Sequence, residues 1–316
     1  MALIRPPEVT VSAPRTGPGR AVALLVLIGI GALVPLLGPS VAVHGTGQSA
    51  ASDSGALALL RAALFAALSV QVGELFTAVL ARRVPKAPRE RPGGWAPFAA
   101  VVGFAAAAAA GELAPHGHGS RTGVLALVEA IAFAVAGLCA LSSRPNRQAW
   151  PLAAVILAEA LRAHPPTEHT PLVGSALTLV HVTCSALWAG GLLSVLRTLR
   201  RWDGATAGAA LLGLYARVAA VLFAAVTATG LLSSLRRLPA GSVLGLLTST
   251  AYGRVLLAKV LLVGAVALLA LWARTRLRRS PDPLAACSPA RVELVALGAV
   301  VAVSGLLTAL PLPVKG

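Results

Sequence analysis

Long apolar runs are the feature of this sequence that most restricts its fold. Several runs of eighteen or more mostly apolar residues alternate with short segments rich in proline, glycine, serine and charge. A helix rises about 1.5 Å per residue, so each run is long enough to cross a hydrocarbon core of about 30 Å. Hydrophobic residues make up 57% of the 316 residues and charged residues only 12%. This composition excludes a soluble fold and predicts an all-α, polytopic transmembrane helix bundle.

The apolar runs predict about eight to nine spanning helices. Their approximate ranges are 21–43, 55–81, 94–113, 122–143, 149–163, 171–196, 206–233, 254–273 and 290–312. The fifth is the weakest candidate, because it is short and contains Glu159 and Arg162. The first is interpreted as a retained helix, since its apolar run is longer than the 7 to 15 residues usual in a signal peptide. Small residues dominate the runs, which predicts closely packed helices.

Composition divides the chain into three predicted regions. Residues 1–20 are proline-rich and basic, without an apolar period, and are predicted to form a flexible cytoplasmic tail. Residues 21–145 contain the N-terminal transmembrane helices, and residues 146–316 form a second transmembrane region.

The distribution of basic residues predicts the orientation of the bundle. Alternate loops place eighteen Lys and Arg residues on one side and six on the other. Basic residues near span ends are retained in the cytoplasm, so we expect a cytoplasmic N-terminus. The net charge is +16, and in a membrane protein an excess of basic residues reflects the topology. We therefore expect no nucleic-acid partner.

Histidines are predicted to lie mainly on the external side. His44, His116, His118, His164 and His169 all fall in external loops or at external helix ends. His116 and His118, with Glu112 one turn earlier, offer neighbouring metal donors at the membrane surface. Glu159 could contribute oxygen to the same external site or pair locally with Arg162. The alternative is that loop histidines are simply tolerated polar residues.

His181 is predicted to lie about 15 Å inside the bilayer, in the sixth span. A polar side chain at that depth must face the protein interior and find a partner. Cys184 and Trp188 follow at helical spacing on the same face, and imidazole with thiolate would suit Cu(I). The alternative is an interhelical hydrogen bond from His181, with Cys184 as a small buried hydrophobe. Gly190 and Gly191 would then permit close helix approach or widen a path.

Arg217 and Lys259 are predicted to be the deepest and locally most isolated charges, and hence candidate path residues. Structural pairing or snorkelling is the alternative for both. The sequence contains no P-loop, HExxH, GxSxG or CxxCH motif, so we expect no enzymatic activity.

Residues 160–278 resemble the copper resistance protein D family of bacterial inner-membrane proteins. The resemblance rests on AHPPTEH, LVHVTCSALWAGGLLSVLRTL, LYARVAAVLFAAVTATGLLSSL and STAYGRVLLAKVLLVGAVALLALWARTRL. The matching positions are His164, His181, Trp188, Gly190, Gly191, Arg217, Thr229, Gly230, Tyr252, Gly253, Arg254 and Lys259. The earlier spans match only as generic apolar helices.

The resemblance implies movement of copper across the bacterial cytoplasmic membrane, usually inward. It leads us to expect copper, as Cu(I) or Cu(II), rather than haem, and an external copper-binding protein as a possible partner. Met1 is the only methionine, which leaves histidine, cysteine and carboxylate as ligands. Two alternatives stay open. One is a redox protein with b-type haem, which needs a second deep histidine, and the other is a membrane scaffold without its own substrate.

The predicted topology is tested with single thiols introduced into a cysteine-free variant. A thiol near Lys86 should be protected from an impermeant maleimide in intact cells, whereas one within 44–54 should react. Labelling near Lys86 in intact cells would show that the predicted orientation is wrong.

Overall fold

The computed structural model describes residues 18–49, 51–85, 87–88, 94–115, 117–166, 170–202, 205–237, 243–279 and 287–310. These residues form ten α-helices and no strand. The helices are α1 (Pro18–Val43), α2 (Ser54–Ala81), α3 (Ala96–Glu112), α4 (Arg121–Leu141), α5 (Ala149–Ala163), α6 (Pro171–Leu199), α7 (Ala205–Arg237), α8 (Val243–Ser249), α9 (Ala251–Arg279) and α10 (Cys287–Ala309). Short 3-10 turns precede α4 and α5, at Gly117–Gly119 and Pro145–Gln148. The predicted all-α class is therefore confirmed. The predicted tail, residues 1–20, lies almost entirely outside the described residues.

Five described helices are long and apolar enough to cross a membrane. They are Ser54–Ala81, Arg121–Leu141, Pro171–Leu199, Thr206–Arg236 and Ala251–Trp272. Shorter apolar helices occupy Gly31–Val43, Ala96–Glu112 and Leu294–Ala309. The chain is thus a multi-pass membrane protein, while the count of eight to nine spans and the orientation stay predictions.

Helix α2 is the centre of the bundle. It packs against α1, α3, α6 and α10, so helices from both predicted transmembrane regions meet on it. The Glu74 side chain also fixes the start of α3, because its carboxylate accepts the backbone N–H groups of Trp95 at 2.7 Å and Ala96 at 3.2 Å. Arg197 of α6 pairs with Glu74 and lies 4.3 Å above the Trp95 ring. Three helices are therefore joined at one end of α2.

Helices α2 and α6 approach so closely that only glycine fits at their crossing. A Cβ atom on Gly190 would overlap the carbonyl oxygen of Ser69, and one on Gly73 would overlap the backbone of Gly190. Lipid tails are as apolar as the helix surfaces, so the hydrophobic effect does not drive helix association inside a membrane. Close backbone contact therefore supplies much of the van der Waals attraction between α2 and α6. Gly190 therefore permits close approach, which is the first of the two roles predicted for it.

The crossing predicts a large difference between two glycine substitutions. Gly190→Val should lower the free energy of unfolding by about 3 kcal/mol or more, because the new side chain meets backbone that cannot rotate away. Gly264→Val on α9 is the matched control, since nothing lies within 4 Å of a Cβ there. Thermal unfolding of the purified variants in detergent measures both. Equal stability of the two variants would contradict the crossing.

Candidate metal path

His164 ends α5 and is packed into the protein. Its residue surface is only 4% exposed, and its Nε2 atom lies 3.0 Å from the Thr178 hydroxyl on α6. The ring lies against Gly174, where a Cβ would overlap it. Helix α6 therefore packs against the residue that directly follows α5.

His181 lies one helical turn beyond Thr178 on α6, about 4.5 Å further along the axis. Its Nδ1 atom is 3.0 Å from the Thr229 hydroxyl on α7. A Cβ on Gly230 would lie 3.4 Å from the imidazole Cε1, so α7 is close to the ring edge. The Lys259 ammonium on α9 is an electrostatic neighbour of the same ring.

The surroundings of the His181 ring favour a proton on Nδ1. The Thr229 hydroxyl donates to backbone carbonyls of its own helix, Ala225 at 2.7 Å and Val226 at 3.2 Å, so its oxygen is available to accept from Nδ1. The Val226 backbone is a second hydrogen-bond partner of the same imidazole. A neutral imidazole then has its proton on Nδ1 and a lone pair on Nε2. This is the arrangement of many histidine metal ligands, in which the second nitrogen donates to a supporting group.

These contacts form a polar column that crosses three helices. It begins at His164 on α5, continues through Thr178 and His181 on α6, and ends at Thr229 on α7. Sequence reasoning placed the two histidines on a common path but missed Thr178. Its position three residues before His181, on the same helix face, was the available signal.

Toward the C-terminal end of α6, the polar side chains are followed by apolar packing. Trp188 is 4% exposed, its ring meets Phe223 edge-on at 5.3 Å, and its carbonyl accepts the Tyr215 hydroxyl at 2.7 Å. A Cβ on Gly191 would crowd the Phe76 and Tyr215 rings. Cys184 is partly buried against the same apolar cluster. Trp188 and the two glycines are therefore packing residues in this structure.

Arg217 lies at the surface of α7, which favours snorkelling over the alternative of a path residue. Its side chain is exposed on α7. Between Arg217 and Arg236 lies an uninterrupted run of eighteen uncharged residues, 218–235, about 27 Å long. That length is close to the thickness of a hydrocarbon core, so Arg217 and Arg236 are spaced to lie at opposite membrane interfaces. Lys259 is half-buried and is engaged by other groups.

Glu159 belongs to a buried group of four charges. Its Oε1 atom accepts hydrogen bonds from Arg61 of α2 and, at 3.0 Å, from Arg162. Arg162 also donates to Glu129 of α4 at 2.7 Å. Arg61, Glu129 and Glu159 are at most 6% exposed. Two positive and two negative charges are thus held together inside the bundle, and the predicted local pairing of Glu159 with Arg162 is confirmed.

The four-charge group lies beside His164. Arg162 precedes that histidine by two residues, so the ion pairs hold the end of α5 on α2 and α4. Sequence reasoning identified these ionisable residues separately and missed that they meet, because Arg61 and Glu159 are 98 residues apart.

The remaining predicted ligands are described only in part. His116 and His169 lie outside the described residues, as does the side chain of His118. Glu112 ends α3 and has an interaction partner. Among the residues that the structure describes, no three His, Cys, Asp or Glu side chains converge as a ready metal site.

Comparison with known families fits the chemistry of this column. Residues 209–307 match the family model described as Copper resistance protein D. This region is similar to the copper resistance protein D family. It contains most of α7 and α10 and all of α8 and α9, including Thr229 and Lys259. The match confirms the resemblance over 209–278 and extends it into α10, whereas His164 and His181 precede the matched residues. No curated protein and no solved structure matches the chain.

The four-charge group predicts unequal effects of single and double replacements. Arg61→Met and Glu159→Met should each cost about 3 kcal/mol of unfolding free energy, because each leaves an unbalanced buried charge. The double variant should be more stable than either single one, since Arg162 and Glu129 then remain as a balanced pair. Thermal unfolding in detergent gives the three values. Simple addition of the two single losses would contradict the shared group.

Proposed function

We propose that this protein moves copper across the bacterial cytoplasmic membrane, in the inward direction, without catalysing a chemical reaction. The observation that supports this most strongly is the contact between His181 and Thr229. The region matched by the family model, residues 209–307, supplies the hydroxyl that supports the Nδ1 atom of an imidazole inside the bundle, and Nε2 would then be the atom that binds a metal ion.

His164 and His181 are the proposed stations of this path. Imidazole binds both oxidation states of copper. The Thr178 hydroxyl holds His164 three residues before His181 on α6, so the two imidazoles follow one another along the same helix. A path made of successive weak stations suits transport, because an ion must leave each ligand as readily as it binds. The predicted outer histidines, His116, His118 and His169, would collect copper ahead of His164, and an external copper-binding protein would supply it.

Glu159 and Cys184 have secondary parts in this proposal. The Glu159 carboxylate already accepts from two arginines, so it holds α5 in place and would bind copper only if those ion pairs opened. Cys184 follows His181 by one turn and would supply a thiolate if the path favours Cu(I).

Two substitutions at His181 separate ligation from packing. His181→Asn keeps a donor for Thr229 but removes the second nitrogen, so we expect copper uptake by proteoliposomes to fall to the protein-free rate. His181→Ala should lose uptake as well. Thr229→Val keeps both ring nitrogens and removes only the supporting oxygen. The apparent affinity for copper in the uptake assay should therefore fall about 10-fold to 100-fold.

The controls for this experiment are protein abundance and the absorption spectrum. Normal uptake by His181→Asn would refute the ligand role, and loss of folded protein in that variant would support the packing interpretation instead. A Soret band in the purified protein would favour the haem alternative. Running the assay with and without ascorbate, on the wild type and on Cys184→Ala, tests whether a thiolate selects Cu(I).

A further inference from the structure

A groove opens on the outer surface of the bundle between α2, α5 and α6. It has a volume of about 600 Å³. Its walls are the segments of α2 from Val72 to Val79, of α6 from Leu179 to Leu187, and of the 3-10 turn and α5 from Asn146 to Ile156. Apart from Asn146 and Thr183, every lining side chain is apolar.

The groove lies beside the N-terminal half of α5, which lines it from Ala149 to Ile156. The ion pairs of Glu159 and Arg162 hold the C-terminal end of the same helix against α2 and α4. Helix α5 is therefore held by charges at one end and borders the groove along its other half.

Arginines flank the end of the groove at which α5 begins. Arg144 and Arg147 lie on either side of Asn146, which lines the groove, and Arg82 and Arg83 follow one turn after Val79. All four side chains are exposed. In the described residues none of these four guanidinium groups forms an ion pair with a carboxylate. The groove thus joins an apolar trough to a cluster of free positive charge.

We propose that this groove is a binding site for an anionic phospholipid. An acyl chain occupies the apolar trough, and Arg144 and Arg147 bind the phosphate, with Arg82 and Arg83 adding to the local positive field. Guanidinium groups bind phosphate oxygens through paired hydrogen bonds, and basic pockets between membrane helices are typical sites for anionic headgroups. The inference goes beyond copper transport and does not depend on it.

The position of the arginines favours a lipid over a soluble ligand. The apolar run 218–235 places Arg217 at one membrane interface. The hydrogen bond from Tyr215 to the Trp188 carbonyl puts this part of α7 beside the C-terminal half of α6, near the crossing of Gly190 with α2. The arginine end of the groove, next to Val79, therefore lies at the depth of lipid headgroups. The trough extends from there into the hydrocarbon, where only an acyl chain is available to fill it.

The test compares two lipids that share acyl chains and differ in headgroup charge. The full-length protein is purified in a neutral detergent and titrated with phosphatidylglycerol or phosphatidylcholine, while native mass spectrometry counts bound lipid and thermal unfolding follows stability. We expect phosphatidylglycerol to bind about tenfold more tightly or better and to raise the Tm by a few degrees more. Equal binding of the two lipids would overturn the proposal.

Two pairs of variants locate the site. Arg144→Gln with Arg147→Gln should abolish most of the preference for phosphatidylglycerol, whereas Arg200→Gln with Arg201→Gln, an equal charge change beyond the end of α6, should retain it. Ala153→Trp should fill the trough and weaken both lipids, whereas Leu157→Trp, an exposed residue outside the groove, should not. Equal effects within either pair would refute a specific site.

Discussion

Two arginines and two glutamates, brought together from α2, α4 and α5, balance one another inside the bundle. A single charge at this depth would be costly, and the cost is avoided only because each group has an opposite partner within hydrogen-bond reach. The positions of other elements follow from this group. It holds the end of α5, which brings His164 against Thr178 and Gly174 of α6.

A second constraint is the backbone contact between α2 and α6 at Gly73 and Gly190. It fixes the height of α6 relative to α2, and the hydrogen bond from Tyr215 to the Trp188 carbonyl then fixes α7 on α6. The second of these contacts helps to hold α7 at the height on α6 where the Thr229 hydroxyl meets His181. The region matched by the family model therefore contacts a histidine that a helix outside that region carries.

Much of the architecture could be predicted from the sequence, because a bilayer imposes a strong rule on helix length and polarity. The long apolar runs, the pairing of Glu159 with Arg162 and the family resemblance over 209–278 were all readable in this way. The pairing of Arg61 with Glu159 was not, since no local pattern records a contact between helices 98 residues apart. The role of Arg217 was left open between a path residue and a snorkelling one. The sequence showed a charge within a long apolar stretch, and the exposed position on α7 favours the second interpretation.

The groove beside α5 leaves the outer surface of the bundle indented between α2, α5 and α6. Lipid next to this face meets a concave apolar surface instead of the ridge of a single helix. The nearest acyl chains must tilt or bend to fill it, so the first layer of lipid is ordered differently there than along the other faces of the bundle.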